Sequence, residues 1–438
     1  MSHIAISLLA FLVAIAILVP FHEFGHFWVA RKLGVKVQRF AIGFGKILFS
    51  RRAKDGVEYC ICAIPLGGYV KMLDEREGKV PEEDLPYAFN RQSVWKRFLI
   101  VLAGPVFNIV LAFLLCIVVF RIGFEGSIPV LSNPVVDSPA AKNGLKAHDE
   151  ILAIDGHATP TVVNVHHVWQ EYLDEPAVTL TILRQGKTQA IDFKQPEISP
   201  APDTDFLKML GVEFKLPPVL GHITPDSPAM KAGLLEGDKI TQINGTAVDD
   251  WDDLVAQIGP HAHTEIKFTI ERDGKHKTLT VTPDARPDGT GMIGAHLPKG
   301  LFRQGSFSWG DSVTESFGQT YKMMALNLKM IGQMVTGHAS IDNISGPVTI
   351  ARVAGETVER GVAPYLYFLA LISVGLAVLN LLPVPMLDGG HLLFYMIEIV
   401  LRRPLSERVQ EICYRIGILL LLGLMLIALY NDMMHVVS

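Results

Sequence analysis

Residues 121–362 contain no cysteine, so whatever folds there does so without disulfides. Charge is scarce as well: Asp, Glu, Lys and Arg make up 19% of the chain, and residues 4–21 hold none. The net charge of −5 offers no basic footprint for a nucleic acid partner. No basic residues precede the first apolar run, and its positive charges follow it instead. This argues against a cleaved signal peptide and for a retained span.

What the chain does have is apolar length. Of 438 residues 49% are hydrophobic, too many for an ordinary soluble enzyme. Four runs are long enough to cross a bilayer: 4–30, 98–120, 365–383 and 411–430. Basic residues cluster in 31–97 (Arg31, Lys32, Lys36, Arg39, Lys46, Arg51, Arg52) and in the short loop with Arg402, Arg403 and Arg408. The positive-inside rule makes both loops cytoplasmic and puts 121–362 and both termini on the other side. Cys60 and Cys62 then fall in the cytoplasmic loop, where alternation along a strand points both thiols to one face without completing a four-ligand metal site.

The first run ends in an unusual way. After Phe21 it places His22, Glu23 and His26 at membrane depth. Ionisable groups there are costly and mark function by default. The spacing is HExxH, which on a helix sets two imidazoles one turn apart on one face. That arrangement grips a zinc ion, with the glutamate beside it free to take a proton from the attacking water. A pair of histidines satisfied inside a helical bundle is the competing reading, but a metal explains better why three polar groups tolerate burial. The 18 residue steps from Ile4 to His22 span roughly 27 Å of helix. With a hydrocarbon core about 30 Å thick, the site falls inside the bilayer near the cytoplasmic face.

A repeat occupies the region between the second and third runs. SPAAKNGLKAHDEILAIDG (138–156) and SPAMKAGLLEGDKITQING (227–245) stand 89 residues apart, a spacing suited to two tandem small domains. Each is followed by a helix-like stretch and alternating strands; in the second copy the hairpin turns at Asp273-Gly274. The pattern resembles the PDZ domain in its circularly permuted bacterial arrangement. The second copy keeps Gly233, Leu234, Gly237, Asp238, Ile240, Asn244 and Gly245, whereas the first has Ala147-His148 for Glu236-Gly237 and Asp155 for Asn244. PDZ domains add an extended peptide as an extra strand; a steric size filter is the alternative role. His166-His167 and His261/His263 read as surface residues in loop-like sequence.

A catalytic zinc usually takes a third protein ligand and keeps an open position for water. The third run ends in NLLPVPMLDGGH, where Pro383 and Pro385 break the helix just before Asp388. A broken helix at membrane depth is tolerated where it lines a cavity. Asp388 is one candidate ligand and His391 another. HEFGH in the first run together with NxxPxPxLDG in a later one resembles the site-2 protease family of intramembrane zinc metalloproteases. AGPVFN, ending at Asn108, and Gly68-Tyr69-Val70-Lys71-Met72 fit the same type, and the likeness covers nearly the whole chain.

The resemblance implies one Zn2+ held by His22, His26 and Asp388, with Glu23 as general base and later proton donor. It implies substrate binding by Asn380 and by Gly68, Tyr69, Val70, Lys71 and Met72. The 36–73 stretch reads as three apolar strands (KVQRFAIGFGKILFS, VEYCICAIPL and GGYVKML) whose exposed edge clamps an unwound substrate, or which simply brace the first span. The substrate class implied is a single-span membrane protein, typically an anti-sigma factor already shortened on its periplasmic side, with remnant signal peptides as a second class.

The expected fold is a polytopic α-helical membrane protein with about four spans, a cytoplasmic membrane-associated β-region and two tandem periplasmic PDZ domains in a bacterial inner membrane. Its segments are 1–30 (first span), 31–97 (cytoplasmic loop, with an amphipathic interfacial stretch at 87–98), 98–120 (second span), 121–220 and 221–300 (PDZ domains), 301–362 (periplasmic amphipathic helix), 363–400 (third span and LDG motif), 401–410 (cytoplasmic loop) and 411–438 (fourth span and tail). Partners are the substrate, the lipid bilayer and a peptide ligand of the PDZ domains. Two other functions compete. A non-catalytic membrane-anchored PDZ adaptor has no use for an intact HExxH. A zinc transporter or sensor needs polar groups continuing across the first span, and its outer half has none.

Overall fold

The computed structural model describes residues 3–172, 175–195, 209–286, 289–336 and 346–437. The chain divides into two units: Met1–Ile122 with Phe307–Ser438, and Gly123–Ser306.

In the first unit the apolar runs become helices His3–Lys32, Val94–Ile122, Val362–Leu381 and Glu407–Val437. Among the described residues these four are long and apolar enough to cross a membrane. Helix Val94–Ile122 lies at the centre, packed against both the first and third helices. Small residues let the helices approach: Ala10, Ala14 and Ala354 share one buried cluster with Leu18, Leu111, Phe368 and Leu369. Two polar side chains bridge helices by hydrogen bonds, as a membrane interior favours. Tyr365 donates to the Ala10 carbonyl at 2.7 Å, and Ser373 Oγ donates to the Asn108 carbonyl at 2.7 Å.

The third run does not continue as one helix. Leu382 leaves helical geometry, Met386 takes φ 88°, and a new helix runs Asp388–Leu401. The glycines after Asp388 are there because the preceding turn folds over them. A methyl group on Gly389 would lie 2.1 Å from the Leu382 carbonyl oxygen, and one on Gly390 2.6 Å from that of Val384.

Strands Val37–Arg52 and Glu58–Met72 pair antiparallel. The expected break between VEYCICAIPL and GGYVKML is absent: the second strand runs through it, with Gly67 at φ 125° absorbing the bend. Val37 faces Met72 and Ile42 faces Gly68, while Arg52 faces Glu58. Among the described residues no other strand pairs with 68–72. Cys60 and Cys62 are buried with Ala41, against Tyr69. The 87–98 stretch is not one amphipathic segment. It contains the end of a short 3-10 turn at Tyr87, a second turn Phe89–Arg91 and the start of helix Val94–Ile122. The reason is polar: Asn90 and Arg91 hydrogen-bond Glu75 at 2.7–3.0 Å.

Helix Trp309–Val335 follows the repeat region, with Val313, Phe317, Tyr321 and Leu328 exposed. Part of the 301–362 stretch, 337–345, lies outside the described residues. Helix Pro347–Arg360 then packs on the first helix.

The second unit holds the repeat. Its copies share one strand order: Lys187–Lys194, Ala177–Arg184, Glu150–Ile154, His157–Ala158 in the first, and Lys275–Val281, Ile266–Arg272, Lys239–Ile243, Thr246–Ala247 in the second. The proline of each SPA opens a short helix capped by Ser138 or Ser227. Each copy buries one aspartate completely or nearly so, Asp149 and Asp238. Each is met by two charge-assisted bonds of 2.6–2.7 Å from an arginine, Arg184 or Arg272. The same aspartates accept from the backbone of Lys146 and Leu235. His166 and His167 are half-buried on helix Val162–Glu171, not in a loop. Val165, Val168 and Trp169 on that helix face the core and set its position.

The copies differ where the sequence differs. His148 takes φ 66° at the position of Gly237, which has φ 90°. A side chain in the left-handed region costs on the order of 1 kcal/mol, and His148 is exposed, with little burial to offset that cost. His148→Gly is therefore expected to stabilise the Gly123–Ser306 unit by about 0.5–1 kcal/mol, read as a higher midpoint in denaturant unfolding. An unchanged or lowered midpoint would show that the strain is absent.

Candidate metal centre

Three atoms from two helices converge inside the first unit. His22 and His26 lie one turn apart on the first helix, and Asp388 opens the helix after the proline break. The two Nε2 atoms are 3.2 Å apart, and Asp388 Oδ2 lies 3.2 Å from His22 Nε2 and 3.4 Å from His26 Nε2. A tetrahedral zinc with bonds of about 2.0–2.1 Å sets its ligand atoms about 3.3–3.4 Å apart. The triangle matches that spacing on all three sides.

The chemistry of the donor set agrees. His26 Nδ1 stands 2.8 Å from the Ile100 carbonyl, which can only accept. The proton of His26 therefore sits on Nδ1, and its Nε2 presents a lone pair. Asp388 Oδ2 is buried and makes no hydrogen bond among the described residues beyond its approach to the two imidazoles. A proton can bridge two of these three atoms, whereas a divalent cation meets all of them at once. His26 is nearly buried, and the three residues form one of the candidate metal-holding groups among the described residues.

The second helix is shaped to leave room. A methyl group on Gly104 would lie 2.3 Å from His26 Nε2 and 2.7 Å from His22 Cε1. Glu23 sits close to the β-hairpin: a methyl group on Gly68 would lie 2.9 Å from Glu23 Cγ. The hairpin backbone thus runs directly past the glutamate.

A cavity of about 930 Å³ joins these parts. His22, Glu23, His26 and Asp388 line it, as do Gly68, Tyr69, Val70 and Met72. Its remaining wall mixes charged residues, Asp74, Arg76, Arg97 and Glu398, with apolar and aromatic ones such as Val101 and Phe394. Burial pushes the Asp74 carboxyl up, but hydrogen bonds and charge from Arg76 outweigh it and hold Asp74 below its usual range. Arg97 and Glu398 pair at 2.6 Å with Arg97 over the Tyr395 ring, tying helix Asp388–Leu401 to the start of helix Val94–Ile122. His391 lines the same cavity with Nδ1 3.5 Å from the Tyr414 hydroxyl, and it stands outside the three-atom cluster. Lys71 and Asn380 are not among the lining residues; Asn380 is half-buried in the last turn of helix Val362–Leu381. Residue type and spacing alone assign no role to Asn108, Ile100 or Gly104. A polar Asn108 in the middle of a span was the available signal for the first of them.

Comparison with known proteins places the chain. Residues 10–424 match the model of Peptidase family M50. The chain is 41% identical to the Regulator of sigma-E protease RseP of Escherichia coli (strain K12) over 444 residues, covering 97% of this chain and 98% of that protein. It is 39% identical to a putative zinc metalloprotease of Vibrio cholerae, covering 99% of each. With the regulator of sigma E protease of Haemophilus influenzae it shares 38%, covering 98% of this chain and 99% of that one. The chain belongs to peptidase family M50, the site-2 proteases, and is an intramembrane zinc metalloprotease of the inner membrane.

The close approach at Gly104 gives a direct test. Gly104→Ala should lower zinc affinity of the purified full-length protein at least about tenfold, since the rings of His22 and His26 must move. Gly423→Ala, where an added methyl group meets nothing within 4 Å, should leave it unchanged. Equal zinc affinity in the two variants would separate Gly104 from the metal centre.

Proposed function

We propose that His22, His26 and Asp388 hold one zinc ion and that Glu23 is the general base for hydrolysis of peptide bonds within single-span membrane proteins. The observation that carries this reading is the three-atom triangle at 3.2–3.4 Å, with Glu23 and a strand edge bordering the same cavity. Bound there, zinc supplies a Lewis acid that polarises a carbonyl and makes water a nucleophile at neutral pH. Glu23 takes the proton of the attacking water and returns it to the leaving amine.

The scissile bond of a membrane helix is shielded by its own hydrogen bonds, and lipid offers no replacement. Residues 68–72, with one strand neighbour, supply backbone partners to an unwound substrate segment beside Glu23. Tyr69, Val70 and Met72 line its path; Lys71 and Asn380 assist from outside the cavity wall. The polar side formed by Asp74, Arg76, Arg97 and Glu398 admits water. By charge bias the 31–97 and 401–410 loops are cytoplasmic, which puts this entrance on the cytoplasmic face and the repeat domains and termini in the periplasm.

The two repeat domains are PDZ domains that exclude substrates with bulky outside portions or bind their exposed ends. An anti-sigma factor, pre-cleaved on the periplasmic side, is the physiological substrate in this reading, in keeping with relatives named as regulators of sigma-E; remnant signal peptides share the same single-span form.

Two substitutions test the assignment. Glu23→Gln should keep bound zinc while cleavage of a reconstituted single-span substrate falls roughly 10²–10⁴-fold. Asp388→Asn should weaken zinc binding at least about tenfold. Cleavage by Glu23→Gln at the unsubstituted rate would remove the proposed base, and unchanged metal affinity in Asp388→Asn would reassign the third ligand.

A further inference from the structure

Asn108 is completely buried in the middle of helix Val94–Ile122, where an amide side chain is expensive. Among the described residues its side chain has one polar contact, Nδ2 at 3.2 Å from His22 Nδ1. Its Oδ1 is buried and has no hydrogen-bond partner among the described residues. Its own carbonyl is held by Ser373 Oγ at 2.7 Å, so the residue is fixed between three helices.

The two ends of an amide are alike in shape, and their assignment follows from the partners. With the amide nitrogen toward the ring, His22 Nδ1 must accept, and the ring proton moves to Nε2. That proton then points into the cluster with Asp388 Oδ2 at 3.2 Å and His26 Nε2 at 3.2 Å, and His22 has no lone pair for a metal. With the amide turned over, Oδ1 accepts from His22 Nδ1–H and Nε2 is left free to ligate. Among the described residues nothing else holds the side chain in the first orientation, because Oδ1 has no partner to lose there.

We infer that Asn108 is a positioning residue of the metal centre: its amide oxygen accepts from His22 Nδ1–H and holds the imidazole with Nε2 toward Asp388 and His26. The inference rests on the ligand assignment proposed above. It makes the two imidazoles equivalent in their support. His26 Nδ1–H is held by the Ile100 carbonyl and His22 Nδ1–H by the Asn108 amide, both from the same helix. Partners of this kind fix the tautomer of a metal-bound histidine and raise its basicity.

The test is zinc affinity of the full-length protein in detergent at neutral pH, measured by chelator competition on Asn108→Leu and Asn108→Asp, with His22→Ala and Asp388→Asn alongside. Asn108→Leu keeps the volume and removes the acceptor; affinity should fall roughly 10–100-fold. Asn108→Asp keeps an acceptor and removes the donor, and should bind zinc within a few-fold of the parent. If Asn108→Asp loses as much as Asn108→Leu, the amide donates and the inference is overturned. Unchanged affinity in Asn108→Leu overturns it too. If Asn108→Leu fails to fold, Asn108→Asp alone decides between the two orientations. Zinc affinity that is insensitive to His22→Ala and Asp388→Asn would mean that the ligand assignment itself has failed, a result distinct from failure of Asn108 alone.

Discussion

Two imidazole nitrogens and a carboxylate oxygen held within 3.4 Å of one another, inside a bundle of apolar helices, are the constraint on which the first unit is built. Such a cluster is unfavourable in a low-dielectric interior unless a cation completes it. Much of the surrounding structure serves to hold it. The proline break delivers Asp388 at the start of a helix, the missing side chain of Gly104 leaves space for both rings, and helix Val94–Ile122 supplies a partner to each Nδ1. The Arg97–Glu398 pair anchors the Asp388 helix at its far end.

The same physics recurs in the second unit at lower stakes. Asp149 and Asp238 are more deeply buried than His22, His26 or Asp388, but each has an arginine with two bonds and a backbone N–H. Their charge is neutralised within the protein, so they are structural. The contrast separates a carboxylate that is already satisfied from Asp388, whose Oδ2 has no hydrogen bond among the described residues beyond its approach to the two imidazoles.

The parts of this architecture that depend on local periodicity were legible in the sequence. The four apolar runs, the one-turn spacing of His22 and His26 and the proline break before Asp388 each follow from residue type and spacing alone. The repeat was legible because Ser138 and Ser227, Asp149 and Asp238, and the glycine turns recur at a nearly fixed offset. What escaped depends on approach between distant segments. Gly104 and Gly389 read as ordinary small residues until a neighbouring ring or carbonyl is seen at contact distance. The run through Gly67 and Gly68 looked like a turn between strands, yet pairing with Val37–Ile42 carries the strand across it. The 87–98 stretch looked interfacial because its charges alternate with apolar residues, while Glu75, remote in sequence, captures Asn90 and Arg91. Asn108 had a legible anomaly, a buried amide in a span, but its partner His22 is 86 residues away.

X-ray absorption at the zinc edge of the purified full-length protein tests the central claim most directly. The account predicts a shell of nitrogen and oxygen neighbours at about 2.0–2.1 Å with the outer scattering of two imidazoles. A sulfur neighbour at about 2.3 Å, or scattering from fewer than two imidazoles, would place the metal elsewhere and contradict it.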